Sequence, residues 1–159
     1  MTHNWALLAA LALAAPGDLT KGVALYQDGK YAEAEAELRE VPGLEACAYR
    51  SAVLVRLERY AEAETEAKAV LAETATQPIA VAALGESLVK QDKLDEAVER
   101  MTAALAAKAD QAYAYYWRGQ SRQRKRQIAR MVDDYQSFLR LAPQAPEAAA
   151  LKALLAGLR

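Results

Sequence analysis

Apolar side chains recur along most of the chain at helical spacing, in paired segments separated by short polar turns. Leu84, Gly85 and Leu88 mark the first segment of one pair; Leu94, Ala97, Met101 and Ala104 mark the second. The pattern returns 34 residues later as Arg118, Gly119, Arg122, Ile128, Met131, Tyr135 and Phe138. Thirty-four residues earlier it reads Arg50, Ser51, Leu54, Tyr60, Ala63, Ala67 and Val70. A fourth copy, displaced by 29 residues, reads Gly22, Leu25, Gly29, Tyr31, Ala34 and Leu38. Its deficit falls around Val41-Pro42-Gly43, which predicts a shortened second helix there. The turns fall at Asp28-Gly29-Lys30, Glu58-Arg59 and Gln91-Asp92-Lys93. Gly29 enters the left-handed region without steric cost, and Asp92 tolerates it better than most residues. Small residues (Gly22, Ser51, Gly85, Gly119, Ala34, Ala63, Ala97) recur where paired helices must approach closely. One such pair cannot bury both faces, so the copies must stack.

These positions resemble the tetratricopeptide repeat family. The strongest copies run from Ala112-Tyr-Ala-Tyr-Tyr-Trp-Arg-Gly119 through Pro143 and from Pro78 through Ala109. Pro143 matches the family's helix-terminating proline, whereas Ala75 and Ala109 depart from it. The resemblance implies an all-α solenoid of about four helix pairs over residues 16–145, approximately 16–43, 44–77, 78–111 and 112–145. A C-terminal helix over 146–159 would cap the open end with Leu151, Leu154, Leu155 and Leu158.

The same resemblance places the first helix of each pair on the concave face, where partners dock. Its inward positions carry Tyr49, Ala52, Val55 and Arg56, then Ala82, Glu86, Val89 and Lys90, then Tyr113, Tyr116, Trp117, Gln120 and Arg124. Tyr, Trp and Arg are enriched at binding hot spots, because each brings large area or several donors. Tyr116 and Trp117 suit partner contact and helix packing equally, while Tyr115 occupies a packing position. Some family members clamp a peptide carboxylate with inward Lys and Asn. Here those places hold Ala48, Ala82, Tyr116, Ala52, Glu86 and Gln120, so that activity is not expected. The implied function is a non-enzymatic scaffold for a protein or peptide.

Composition supports one helical domain: 159 residues, 53% apolar and 26% charged, with 7 Gly and 5 Pro. The net charge of −1 conceals an asymmetry. Residues 1–80 hold 12 acids and 7 bases, whereas residues 81–159 hold 13 bases and 9 acids. Arg118, Arg122, Arg124, Lys125, Arg126 and Arg130 fall in a stretch without acids. Segment 118–130 therefore offers an alternative function, a polyanion adaptor for nucleic acid or an anionic surface, although an acidic protein suits it better than nucleic acid. A solvated edge balanced by Asp133 and Asp134 accounts for the same residues. Glu33, Glu35, Glu37, Glu40, Glu62, Glu64 and Glu66 in the acidic half add a further expectation, salt-sensitive head-to-tail self-association.

Candidate catalytic chemistry is sparse. His3 is the sole histidine, and Cys47, lacking an activating base, reads as a small core residue. Phosphate-loop, dinucleotide, zinc-protease and calcium-loop motifs are missing, so neither catalysis nor a cofactor nor a metal is expected. Residues Trp5 to Ala15 form an unbroken apolar run, too short for a membrane-spanning helix. Segment 1–15 reads as a signal peptide, with small residues at Ala12-Leu13-Ala14-Ala15, or as a short apolar helix ended by Pro16-Gly17. The first reading implies a periplasmic or secreted protein and the second a cytoplasmic one.

Overall fold

The computed structural model describes residues 17–158, so the apolar run at 1–15 lies outside the described residues. Among these residues nine helices follow one another without a strand. They are α1 (Leu19–Gln27), α2 (Tyr31–Arg39), α3 (Leu44–Arg56), α4 (Tyr60–Glu73), α5 (Pro78–Lys90), α6 (Leu94–Ala107), α7 (Ala112–Arg124), α8 (Ile128–Leu141) and α9 (Ala148–Ala156). None is long and apolar enough to cross a membrane.

The helix boundaries follow from local chemistry. Asp18 caps α1, accepting from the backbone N–H groups of Thr20 at 2.8 Å and Lys21 at 3.2 Å. Gln77 caps α5 through Ala80 N–H at 2.8 Å, and Pro78 occupies the first helical position, where no amide hydrogen is needed. Each hairpin closes with the same backbone device. The N–H groups of Lys30, Arg59, Lys93 and Gln127 donate to the carbonyls of Leu25, Leu54, Leu88 and Arg122 at 2.8–2.9 Å. The preceding residue takes a left-handed conformation in all four turns: Gly29, Glu58, Asp92 and Arg126, with φ between 56° and 76°. Glycine does this freely, while Glu58 and Arg126 carry a local cost of about 1–3 kcal/mol each.

Stacking follows the repeat. Helices α1, α3, α5 and α7 form one layer, and α2, α4, α6 and α8 the other, each pair packing on the next. The shortened copy is realised as expected: α2 has 9 residues where α4 has 14. Buried apolar groups divide into three clusters along the stack. Ala34, Leu38 and Val53 lie at one end, a larger set around Leu84, Leu88 and Met101 in the centre, and Met131, Tyr135, Phe138 and Leu151 at the other end. This serial arrangement is what a quasi-one-dimensional array requires. Helix α9 packs Leu151, Leu154 and Leu155 on the last cluster, while Leu158 lies beyond the helix and is exposed.

The small residues do not all serve one purpose. A Cβ on Gly22 or Gly119 would strike Leu38 or Tyr135 on the paired helix, at 2.5 and 2.6 Å. One on Gly85 would instead meet Trp117 Cβ at 2.7 Å, on the first helix of the next pair. Close approach at Gly85 thus serves stacking between pairs, not packing within one. Cys47 is half-buried and packs against the central cluster, with Arg50 Nη2 at 3.5 Å from its Sγ.

Candidate functional site

Helices α3, α5 and α7 lie side by side and form the floor of a groove of ≈ 1020 Å³. Its apolar floor comprises Ala52, Val55, Ile79, Ala82, Ala83 and Val89, with Tyr26 from α1 on one side. Tyr113, Tyr116 and Trp117 from α7 form the aromatic wall. Tyr116 and Trp117 stack edge to face with ring centroids 4.7 Å apart; Tyr113 meets Tyr116 at 6.0 Å and Phe138 at 5.6 Å. Tyr113 and Tyr116 are therefore fixed from behind by the C-terminal cluster, and Trp117 by the central one, while all three line the groove. Packing and lining are not alternatives at Tyr116 and Trp117; each side chain does both.

Charge is distributed unevenly across this surface. Arg56, Lys90 and Arg124 stand in the last turns of α3, α5 and α7, where cations also complement the helix dipoles. Arg56 pairs with Glu86 on the neighbouring helix. Burial raises the carboxyl pKa of Glu86, and the positive charges of Arg56 and Lys90 work against that rise. Arg124 donates from Nη1 to the carbonyl of Val89 at 2.6 Å and lies 3.5 Å from the exposed Asp92 carboxylate. Lys90 is exposed and has no ion pair among the described residues. Near the other end, Tyr113 donates to Glu147 Oε2 at 3.3 Å, tying the residue before α9 to the groove wall. Burial, reinforced by the Glu147 charge, pushes the Tyr113 phenol up to about 12.

Of the thirteen inward positions expected from the sequence, twelve line this one groove, among them Arg56, Glu86, Lys90, Tyr113, Tyr116, Trp117, Gln120 and Arg124. Tyr49 does not. Its ring meets Tyr26 edge-on at 6.1 Å within the N-terminal cluster. Tyr26, Gln123 and Glu147 also line the groove but were not among the sequence candidates. Tyr26 and Gln123 occupy the register of Val55 and Val89, so extending that register would have found them. Glu147 lies outside the repeats, and no periodic signal reaches it.

No protein-family model matches the sequence, and the search of curated proteins found no match. Solved structures do match. MamA from Desulfovibrio magneticus RS-1 superposes with a TM-score of 0.65 at 21% identity, covering 88% of this chain and 87% of its own. A second MamA structure gives 0.68 at 17% identity, with coverage of 88% and 84%. YrrB, described as a TPR protein with an unusual peptide-binding site, gives 0.67 at 19% identity, with coverage of 83% and 71%. The fold is that of tetratricopeptide repeats.

Within this repeat fold, the basic segment is not the open patch that its composition suggests. Arg118 donates to Asp134 from Nε at 3.2 Å and from Nη2 at 2.7 Å, and Arg122 reaches the second carboxylate oxygen at 2.8 Å. Asp134 is 2% exposed, so these two arginines neutralise a buried carboxylate between α7 and α8. Arg118 also lies 5.5 Å from the centroid of the Tyr115 ring. Lys125 pairs with Asp95 on α6. Of the six basic residues in segment 118–130, only Arg126 and Arg130 are exposed without an ion pair among the described residues.

The acidic half is similarly engaged. Glu35 pairs with Arg39 and Arg59, Glu37 with Lys21, Glu62 with Arg59, and Glu66 with Arg50. Glu64 is held by Lys68 at 2.6 Å, Lys93 at 2.7 Å and Gln91 at 2.8 Å. Of the acids expected to drive self-association, Glu33 and Glu40 alone have no ion pair among the described residues.

Proposed function

We propose that this protein is a non-enzymatic scaffold whose concave groove holds a segment of a partner protein. The observation that carries the reading is the groove itself. Three consecutive repeats contribute one continuous floor, with rigid aromatics on one wall and cations along one edge. Tyr113, Tyr116 and Trp117 are held by neighbours before any partner arrives, so binding orders few side chains. The description of YrrB as a peptide-binding TPR protein supports the use of this fold for such a task. The polyanion alternative draws little support, because Arg118, Arg122 and Lys125 are already paired. Charge-driven self-association likewise has few unpaired carboxylates to act on. An exported location rests on the reading of segment 1–15 as a leader; a purified native protein starting near Pro16 would support it.

A peptide array tests the groove. Ala82→Trp would add bulk to the groove floor, whereas Lys152→Glu changes α9 away from it. Peptides captured by the wild type should lose most of their signal with Ala82→Trp and keep it with Lys152→Glu, melting curves confirming both folds. Capture that is indifferent to Ala82→Trp would place the binding face elsewhere.

A further inference from the structure

Arg56, Lys90 and Arg124 share one register position, each 34 residues from the next, and each closes the helix that carries it. All three line the groove, so the repeat places a row of cations across consecutive parallel helices. Dipole complementation accounts for cations at helix ends but does not require them to face a groove. Their internal neutralisation is also unequal. Arg56 has Glu86, Arg124 has only a long contact to an exposed Asp92, and Lys90 has no ion pair among the described residues. The contrast with Arg118 and Arg122, one face away on α7 and locked to buried Asp134, shows that this fold neutralises cations where it needs to. Along the groove it leaves Lys90 without an ion pair and Arg124 with only the long contact to Asp92.

Resting on the groove reading above, we infer that the occupant is an extended acidic segment of a partner protein, with carboxylates about three residues apart. The spacing follows from geometry. Packed helices sit about 8–10 Å apart, and a chain extended in the polyproline II conformation advances about 3.1 Å per residue and returns a side chain to the same face every third residue. Crossing from the Lys90 helix to the Arg124 helix therefore takes about three residues. Carboxylates at i and i+3 would meet Lys90 and Arg124, and an apolar side chain between them would face Trp117. This arrangement differs from a clamp on a terminal carboxylate, because both anions are internal side chains.

Fluorescence anisotropy with synthetic probes tests it. The lead probe is a short labelled peptide with two glutamates at i and i+3 around a leucine. Comparison probes place the glutamates adjacent, replace them with lysines, or substitute an oligothymidylate of equal charge. The lead peptide should bind most tightly, and Lys90→Glu should weaken it at least tenfold, about 1.4 kcal/mol. The lysine peptide should gain affinity for Lys90→Glu, a rescue that a misfolded variant would not show. Equal binding of the adjacent-glutamate peptide or of the oligothymidylate would overturn the inference in favour of diffuse anion attraction. Indifference to Lys90→Glu would overturn it as well. If uncharged array peptides bind better and remain sensitive to Ala82→Trp, the groove reading survives and the acidic occupant does not.

Discussion

Two faces of α7 carry arginines from one basic stretch, and the fold treats them oppositely. On the face toward α8, Arg118 and Arg122 converge on Asp134, whose side chain is 2% exposed. On the face toward the groove, Arg124 is half exposed and holds only a backbone carbonyl and a distant surface carboxylate. The first arrangement is internal structure, since buried charges persist only when paired. The second leaves charge available to a partner. A cluster of cations in sequence is therefore not a surface; the helical phase of each residue decides which role it takes.

Removing the buried carboxylate breaks this comparison most severely. Asp134→Ala strands two guanidinium groups that are 14% and 15% exposed, one of which already has an unpartnered Nε. A loss of about 3–5 kcal/mol is expected in urea denaturation. A loss below about 1 kcal/mol would mean that the arginines swing out to solvent and behave like Arg124.

Gly85→Val acts on the aromatic wall from behind. The added methyls must displace Trp117, which packs 2.7 Å from the position of a Cβ, at an expected cost of about 1–3 kcal/mol. An unchanged melting temperature would mean that α5 and α7 separate freely and that the groove floor is not rigid.

Glu64 offers a second internally neutralised centre, on the far side of the stack. Burial works to raise its pKa, but hydrogen bonds from Lys68, Lys93 and Gln91 prevail and hold it at about 2, below the usual 4.5. A depressed carboxylate stabilises the fold fully above its unfolded value and loses that contribution as pH falls from about 4.5 toward 2. With Lys68 and Lys93 at 34% and 43% exposure, solvent screening reduces the contribution to about 1–2 kcal/mol. Wild type should exceed Glu64→Gln in stability by that amount at pH 6, with the gap closing by pH 2. A constant gap would show that the carboxylate charge is irrelevant.

Lys90→Ala sharpens the comparison from the other side. A side chain that serves a partner rather than the fold should cost less than about 0.5 kcal/mol when truncated. A larger loss would assign Lys90 to structure, alongside Arg118.

Much of this architecture was legible before any coordinates, because a 34-residue register fixes where helices pair and which positions are small. The shortened α2 and the turn at Gly29 followed from the deficit at Val41-Pro42-Gly43 and from glycine's backbone freedom. Contacts between successive repeats were less legible. They depend on the rotation of one pair against the next, which periodicity does not specify. Hence the repeat register puts Gly85 in its own hairpin although it meets Trp117, and puts Tyr49 on the inner face although it packs on Tyr26. Tyr49, Ala83 and Trp117 share a register, yet only the last two line the groove. The pairing of Arg118 and Arg122 was half legible: Asp134 was visible as a nearby acid, but its burial depended on how α8 seats against α7.

The central claim, that the inner face of the stack receives the partner, is tested most directly by nuclear magnetic resonance. Labelled protein titrated with the i, i+3 glutamate peptide should shift the Trp117 indole N–H and the backbone amides around Glu86, Lys90 and Gln120. Amides of α4 and α6 facing the opposite side should stay in place. Shifts confined to that opposite side, or to Arg126 and Arg130, with the Trp117 indole unmoved, would contradict the account.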